Sequence, residues 1–225
     1  MSILESKRLK GSLVDRAEKI ISLCKGKSVL HLGCADYPYF KEHYNSGNLV
    51  HQRITEVAKY VVGIDLSAEG ITFLSSLGYK NLIIGDVEKI GDLDINQQFD
   101  VVVAGELLEH LSNPGMFFFG AKSLMTNDGI LILTVPNVHA VKSFLRVLLF
   151  KNELIHPDHV FYFSQANIDH FCKRYSLKIK EVFYYLTKSE NVVKKFLTFY
   201  LYLFVKYLRP YVGDGLIFVV EKNNK

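Results

Sequence analysis

Tyr60-Val61-Val62-Gly63-Ile64-Asp65-Leu66-Ser67 decides the fold. A short apolar run rich in β-branched residues reads as a buried strand, here Tyr60–Ile64. It ends on a carboxylate, and Ser67 then stands where a helix N-cap belongs, so a helix is predicted over Ala68–Leu77, with Gly70 costing it a little. Strand, acid, cap and helix in that order make one βα unit, and the pattern repeats outward in both directions. Further strands are predicted at Ser28–Leu32, Asn81–Ile84, Phe99–Ala104 and Gly129–Val135, and two late ones at Ile179–Leu186 and Leu216–Glu221. Helices are predicted near Ser12–Cys24, Tyr39–Val57, Pro114–Met125, Ala140–Phe150, Gln165–Tyr175 and Val192–Leu208. Asn113-Pro114 matches an N-cap followed by proline at the first helical position, and Asn127-Asp128-Gly129 is a turn signal. The alternation predicts an α/β fold with a mainly parallel sheet flanked by helices.

The bulk properties agree with one domain spanning residues 1–225. Of 225 residues, 49% are hydrophobic and 22% charged, the balance of a globular chain able to bury a core. The net charge is +4, and lysines and arginines never run longer than two, which argues against a nucleic-acid partner. Cys24, Cys34 and Cys172 are widely spaced with no C-x-x-C pair, so neither a disulfide framework nor a zinc knuckle is suggested. The N-terminal MSILESKRLKG lacks a long apolar run after its charges, and a cytoplasmic protein is expected.

In open α/β sheets, ligands bind beyond the carboxyl ends of the strands, near the point where strand order reverses. The first strand runs into Gly33-Cys34-Ala35-Asp36-Tyr37, where Gly33 lets backbone approach a ligand. The second ends on Asp65, whose carboxylate can accept from both hydroxyls of a ribose, or can simply cap the next helix. The third leads into Gly85-Asp86-Val87, a second acid in the equivalent place, suited to an adenine amine or else a surface-loop residue.

Taken as a set over Ser28–Asn137, these residues resemble the class I S-adenosylmethionine (SAM)-dependent methyltransferases. In that family a glycine loop, a ribose-binding acid and an adenine-binding acid follow the first three strands, and Phe99-Asp100-Val101-Val102 and Gly129–Asn137 look like the fourth and fifth. The resemblance implies a Rossmann-like seven-stranded sheet with its last strand antiparallel. It also implies a SAM site lined by His31, Gly33, Cys34, Ala35, Asp65, Leu66, Asp86, Val87 and Glu106. His31 departs from the pattern: it replaces an acid that helps hold the cationic amine of SAM, where a neutral imidazole accepts one hydrogen bond.

Beyond the fourth strand, Gly105-Glu106-Leu107-Leu108-Glu109-His110-Leu111 puts two carboxylates and an imidazole at the ligand edge. If this stretch turns helical, Glu106, Glu109 and His110 share a face and form an oxygen/nitrogen set for Mg²⁺, Mn²⁺ or Zn²⁺. A second cluster follows at His156-Pro157-Asp158-His159, before Val160–Ser164. Together the two are similar to the small-RNA 2′-O-methyltransferases and the ubiquinone-pathway O-methyltransferases. That match implies that Glu106, Glu109, His110 and His159 ligate an ion that activates a hydroxyl. The alternatives are metal-free acid/base chemistry by His110, His159 or Glu109, or plain packing.

The acceptor expected is a hydroxyl of a small molecule, a sugar or glycan intermediate, or a lipid-like compound. Near residues 190–210 a hydrophobic helical insertion is predicted, in which Lys194-Lys195 and Lys206 flank ten residues, all but Thr198 apolar or aromatic, too few to span a bilayer. It would suit a peripheral membrane contact, a substrate lid, a dimer face or a core helix. Two other functions fit part of the pattern: a SAM-binding protein without catalysis, and an NAD-dependent oxidoreductase, which lacks its G-x-G-x-x-G.

Overall fold

The computed structural model describes residues 9–151, 156–187, 203, 205–207 and 209–223. The chain opens with a two-residue strand, β1 (Ser12–Leu13), and the helix α1 (Arg16–Cys24), whose N-cap Asp15 accepts from the Glu18 amide at 3.2 Å. Strand β2 (Ser28–Leu32) follows, then the short helices α2 (Phe40–Asn45) and α3 (Val50–Thr55), strand β3 (Tyr60–Asp65) and helix α4 (Ala68–Ser76). Ser67 caps α4 as the sequence predicts, its hydroxyl accepting from Gly70 N at 3.0 Å. Next come β4 (Leu82–Ile84), a 3₁₀ stretch Val87–Asp92, β5 (Phe99–Gly105), a 3₁₀ turn Leu108–His110, and α5 (Pro114–Ser123) capped by Asn113. The remainder is β6 (Met125–Pro136), α6 (Val141–Phe150), α7 (Gln165–Arg174), β7 (Leu177–Tyr185) and β8 (Gly215–Lys222).

All eight strands form one sheet in the order β1-β7-β8-β6-β5-β2-β3-β4. Every pair is parallel except those of β8, which runs antiparallel to both β6 and β7. The order reverses between β2 and β5, the switch point at which open α/β sheets bind their ligands. The antiparallel last strand agrees with expectation; the strand count is eight rather than seven. The extra strand lies where the sequence suggested the start of a helix, because Asp15 caps the helix later and frees Ser12 and Leu13 to pair with Phe183 and Tyr184. The predicted helix Tyr39–Val57 is likewise two helices, broken at Ser46-Gly47-Asn48, where Gly47 takes a left-handed φ of 69°. Strand β6 starts at Met125, so α5 stops two residues short of its predicted end.

Alternation along the strands explains the core. Leu30, Leu32, Val102, Ala104, Leu131 and Leu133 face one cluster, together with Phe117 and Phe118 of α5. Val29, Val101, Val103 and Ile132 face the other, against Ile20 and Cys24 of α1 and Ile54 of α3. A sheet covered on both faces reads as continuous apolar runs, which is why these strands were visible in the sequence. Most of 190–210 lies outside the described residues, so the structure does not address the insertion predicted there. Among the described residues no helix is long and apolar enough to cross a membrane.

Candidate active site

The carboxyl ends of β2, β3 and β4 converge as the sequence ordering requires. Gly33 adopts φ +70°, a conformation L side chains rarely take, and a Cβ there would meet Leu107 Cδ1 at 3.3 Å. The amides of Gly33 and Cys34 both donate to the Ile64 carbonyl, at 2.8 and 3.1 Å, so the glycine loop is tied to the end of β3. Asp65 completes the tie: Oδ2 accepts from Ala35 N at 2.8 Å and Oδ1 from Ser67 N at 2.9 Å. Burial raises the Asp65 pKa, while the Ser67 and Ala35 amides pull it down. A carboxylate has about four lone-pair sites, so these two amides leave capacity for a diol. Leu66 is 73% exposed at the lip of this edge, whereas Cys34 and Ala35 are fully buried, their amides donating to the Ile64 carbonyl and to Asp65 Oδ2. Asp86 caps the 3₁₀ stretch through Glu88 N at 2.9 Å and stays partly exposed, while Val87 turns into the core.

His31 lies on the strand face opposite Leu30 and Leu32, and so points toward α3. Its Nδ1 is 3.2 Å from Nδ1 of His51, the rings stack with centroids 5.4 Å apart, and both residues are buried, at 4% and 1% exposure. The expectation that His31 meets the cofactor amine is not what this geometry shows; the imidazole already has an intramolecular partner. Burial pushes His31 well below the usual 6.5, helped by His51 and Arg16, and pushes His51 down to about 4. Both rings are therefore neutral at pH 7, one Nδ1 donating and the other accepting.

At the end of β5 the backbone leaves the strand abruptly, with Glu106 at φ +48°. Its amide donates to Thr134 O and Oγ1, both at 3.0 Å, and its Oε1 accepts from Thr134 Oγ1 at 2.8 Å and from Tyr185 OH at 2.7 Å. Arg16, from the first turn of α1, reaches Thr134 Oγ1 at 3.5 Å. The turn that follows is a single 3₁₀ turn, so the helical condition for Glu106, Glu109 and His110 sharing a face is not met. Glu109 is fully buried and neither carboxyl oxygen has a hydrogen-bond partner. Burial, and then the charge on Glu106, hold its pKa far above the usual carboxylate range, so it is a neutral acid at pH 7.

The Glu109 carbonyl accepts from Val160 N at 2.9 Å and Phe161 N at 3.3 Å, which docks the His156–Phe163 segment against the 3₁₀ turn. This docking brings three imidazoles together: ring centroids are 4.6 Å apart for His110–His159, 5.6 Å for His110–His156 and 5.0 Å for His156–His159. Burial, then the neighbouring rings, lower the pKa of His110 and of His159. The carboxylates of the expected ligand set do not join them: Glu106 is bonded to Thr134 and Tyr185, and Glu109 is sealed in the interior. As the side chains stand, Glu106, Glu109, His110 and His159 do not form the mixed oxygen/nitrogen site that the resemblance implied. No role is predicted from sequence for Arg16, His51, Thr134, His156 or Tyr185, although Thr134 and His156 lie inside stretches that the sequence singles out.

A doubly wound sheet with a glycine loop, two acids and a Glu/His edge at successive strand ends defines a class I SAM-dependent methyltransferase. The profile of the methyltransferase domain family matches residues 6–182, and the chain belongs to that family. It is 25% identical over 171 residues to the ubiquinone biosynthesis O-methyltransferase of Haemophilus ducreyi, covering 70% of this chain and 67% of that one. The Glaesserella parasuis enzyme of the same name is 23% identical over 132 residues, covering 55% of this chain and 51% of its own length. The chain thus spans only about half to two thirds of these curated relatives. A SAM-dependent methyltransferase from Archaeoglobus fulgidus shares the fold, with a TM-score of 0.58 at 16% identity over 92% of this chain and 91% of that one.

Proposed function

We propose that the protein transfers the methyl group of SAM to a hydroxyl oxygen of a small molecule, a glycan intermediate or a lipid-like acceptor. The observation that carries this reading is the imidazole cluster of His110, His156 and His159, standing just past the β5 end that would hold the methionine part of SAM. The names of the curated relatives, O-methyltransferases of ubiquinone biosynthesis, favour oxygen over nitrogen. In the reaction the acceptor oxygen attacks the methyl carbon, the carbon–sulfur bond breaks with its electron pair going to sulfur, and the hydroxyl proton passes to an imidazole. The sulfonium already supplies the leaving group, so the protein contributes mainly alignment and that proton acceptor. A cytoplasmic location, membrane contact through residues 194–210 and a homodimer belong to the same proposal.

Extracts incubated with methyl-labelled SAM test this, with mass spectrometry to locate the label. The expected product carries it on oxygen, and His110→Ala lowers turnover by roughly 10²-fold or more with SAM affinity unchanged. Label on nitrogen or carbon, or a His110→Ala variant as active as the parent, would overturn the reading.

A further inference from the structure

Beyond the ends of β6 and β7, beside the first turn of α7, lies a cavity of about 110 Å³. Tyr184 and Leu216, both buried, line it with apolar surface, and Ala166 adds a methyl group. Ser164 and Asn137 also line it, but their polar atoms are already engaged. Ser164 Oγ donates to Asn167 Oδ1 at 2.8 Å and accepts from Asn167 N at 3.2 Å. The Asn137 amide donates to Tyr211 O and Gly213 O at 2.9 and 2.8 Å, and its oxygen accepts from His139 N at 3.0 Å. Gln165 is different: its carboxamide oxygen is buried and has no hydrogen-bond partner, a condition native structures seldom leave unmet. The backbone amides of Gln165 and Ala166 open α7 and have no carbonyl of their own helix to donate to. No Asp, Glu, Lys or Arg lines the cavity, so a carboxylate, phosphate or ammonium would be buried there without a counter-charge. The strip His159–Ser164 ties the cavity to the acceptor edge: Val160 N donates to Glu109 O at 2.9 Å and Val138 N to Phe163 O at 3.1 Å.

We infer that this cavity is an acceptor-recognition subsite for the acetamido group of an N-acetylated amino sugar. Size decides first. A cavity of about 150 Å³ holds benzene and a water occupies about 30 Å³ of liquid, so this one takes about four or five heavy atoms. A hexose ring or a prenyl chain is too large, and a lone hydroxyl leaves the apolar wall unfilled. The nitrogen, carbonyl and methyl of an acetamido group match the volume and the chemistry together. Its N–H is the donor that the Gln165 oxygen lacks, its carbonyl is an acceptor for the amides that open α7, and its methyl suits Tyr184 and Leu216. The inference rests on the hydroxyl-methylating reading and narrows its acceptor, choosing a glycan intermediate over a lipid-like compound.

The test is saturation-transfer NMR on the full chain with N-acetylglucosamine, glucose and N-methylacetamide as separate probes at equal concentration. The expected result is saturation of the acetyl methyl protons of N-acetylglucosamine and none of glucose. Gln165→Leu keeps the volume and removes the acceptor, weakening N-acetylglucosamine binding by about threefold to tenfold. Ala166→Leu fills the cavity and abolishes binding, while both variants keep the parent circular dichroism spectrum and SAM affinity. Equal saturation of glucose, no saturation of N-acetylglucosamine, or binding that survives both variants overturns the inference. N-methylacetamide bound as tightly as N-acetylglucosamine means that the sugar is not recognised, and overturns the amino-sugar assignment. None of these signals depends on methyl transfer. Label found on nitrogen or carbon would sink the hydroxyl reading and leave them in place, whereas failure of the parent to bind SAM counts against the cofactor site.

Discussion

Acid should weaken this protein through the His31–His51 pair. A proton on either ring has to enter a site with exposures of 4% and 1%, whereas in the unfolded chain both titrate near the usual 6.5. The folded pKa values lie lower, so the unfolded state binds more protons and stability rises with pH. The contribution is fully present above pH 6.5 and is lost as pH falls from 6.5 toward the folded values, which for His51 is about 4. Linkage with those two values gives a loss of about 2 kcal/mol between pH 7 and pH 5 from His51 alone. His31 adds in the same direction. The perturbation that isolates the pair is the double variant His31→Leu/His51→Leu, which swaps two neutral hydrogen-bonded rings for apolar groups of similar volume and should cost little at pH 7. His51→Leu alone should cost more than the double variant, because it leaves Nδ1 of His31 buried without a partner. Urea unfolding at pH 7, 6 and 5 is the assay. Parallel pH profiles for parent and double variant would refute the reasoning, and a flatter profile for the double variant supports it.

Two further outcomes test the packing and the polar network. Gly120→Ala places a Cβ 1.8 Å from Ile90 Cγ2, in the tight contact between α5 and the 3₁₀ stretch, and should lower unfolding free energy by about 1–3 kcal/mol in chemical denaturation. Tyr185→Phe removes one of the two donors to Glu106 Oε1 and should cost about 2 kcal/mol at pH 7; a loss under about half a kcal/mol would mean that Glu106 does not depend on it.

The βα units were legible because each carries its signal locally. Asp65 follows an apolar strand directly, Ser67 caps the next helix two residues on, and both faces of the sheet are buried, so neither face confuses the strand reading. The acceptor edge was less legible, because its geometry is set by contacts remote in sequence. Glu106 is held by Tyr185, 79 residues away, and Thr134 is reached by Arg16, 118 residues away. No spacing rule anticipates such pairs. The helical rule for Glu106, Glu109 and His110 failed for a local reason: the left-handed turn at Glu106 and the single 3₁₀ turn after it point the two carboxyl groups away from the imidazoles. His31 stands out in the sequence as a departure from the family pattern, but its partner His51 sits on α3, inside a stretch predicted as one unbroken helix.

Asp65 holds Ala35 N and Ser67 N, and the proposal that it also binds the ribose of SAM is tested most directly by calorimetric titration of SAM into the parent and Asp65→Ala. The expected result is one SAM bound per chain and an affinity reduced by roughly tenfold or more in the variant, the loss of a charge-assisted hydrogen bond or two. Equal SAM affinity in both proteins, or heat with NAD and none with SAM, would contradict it.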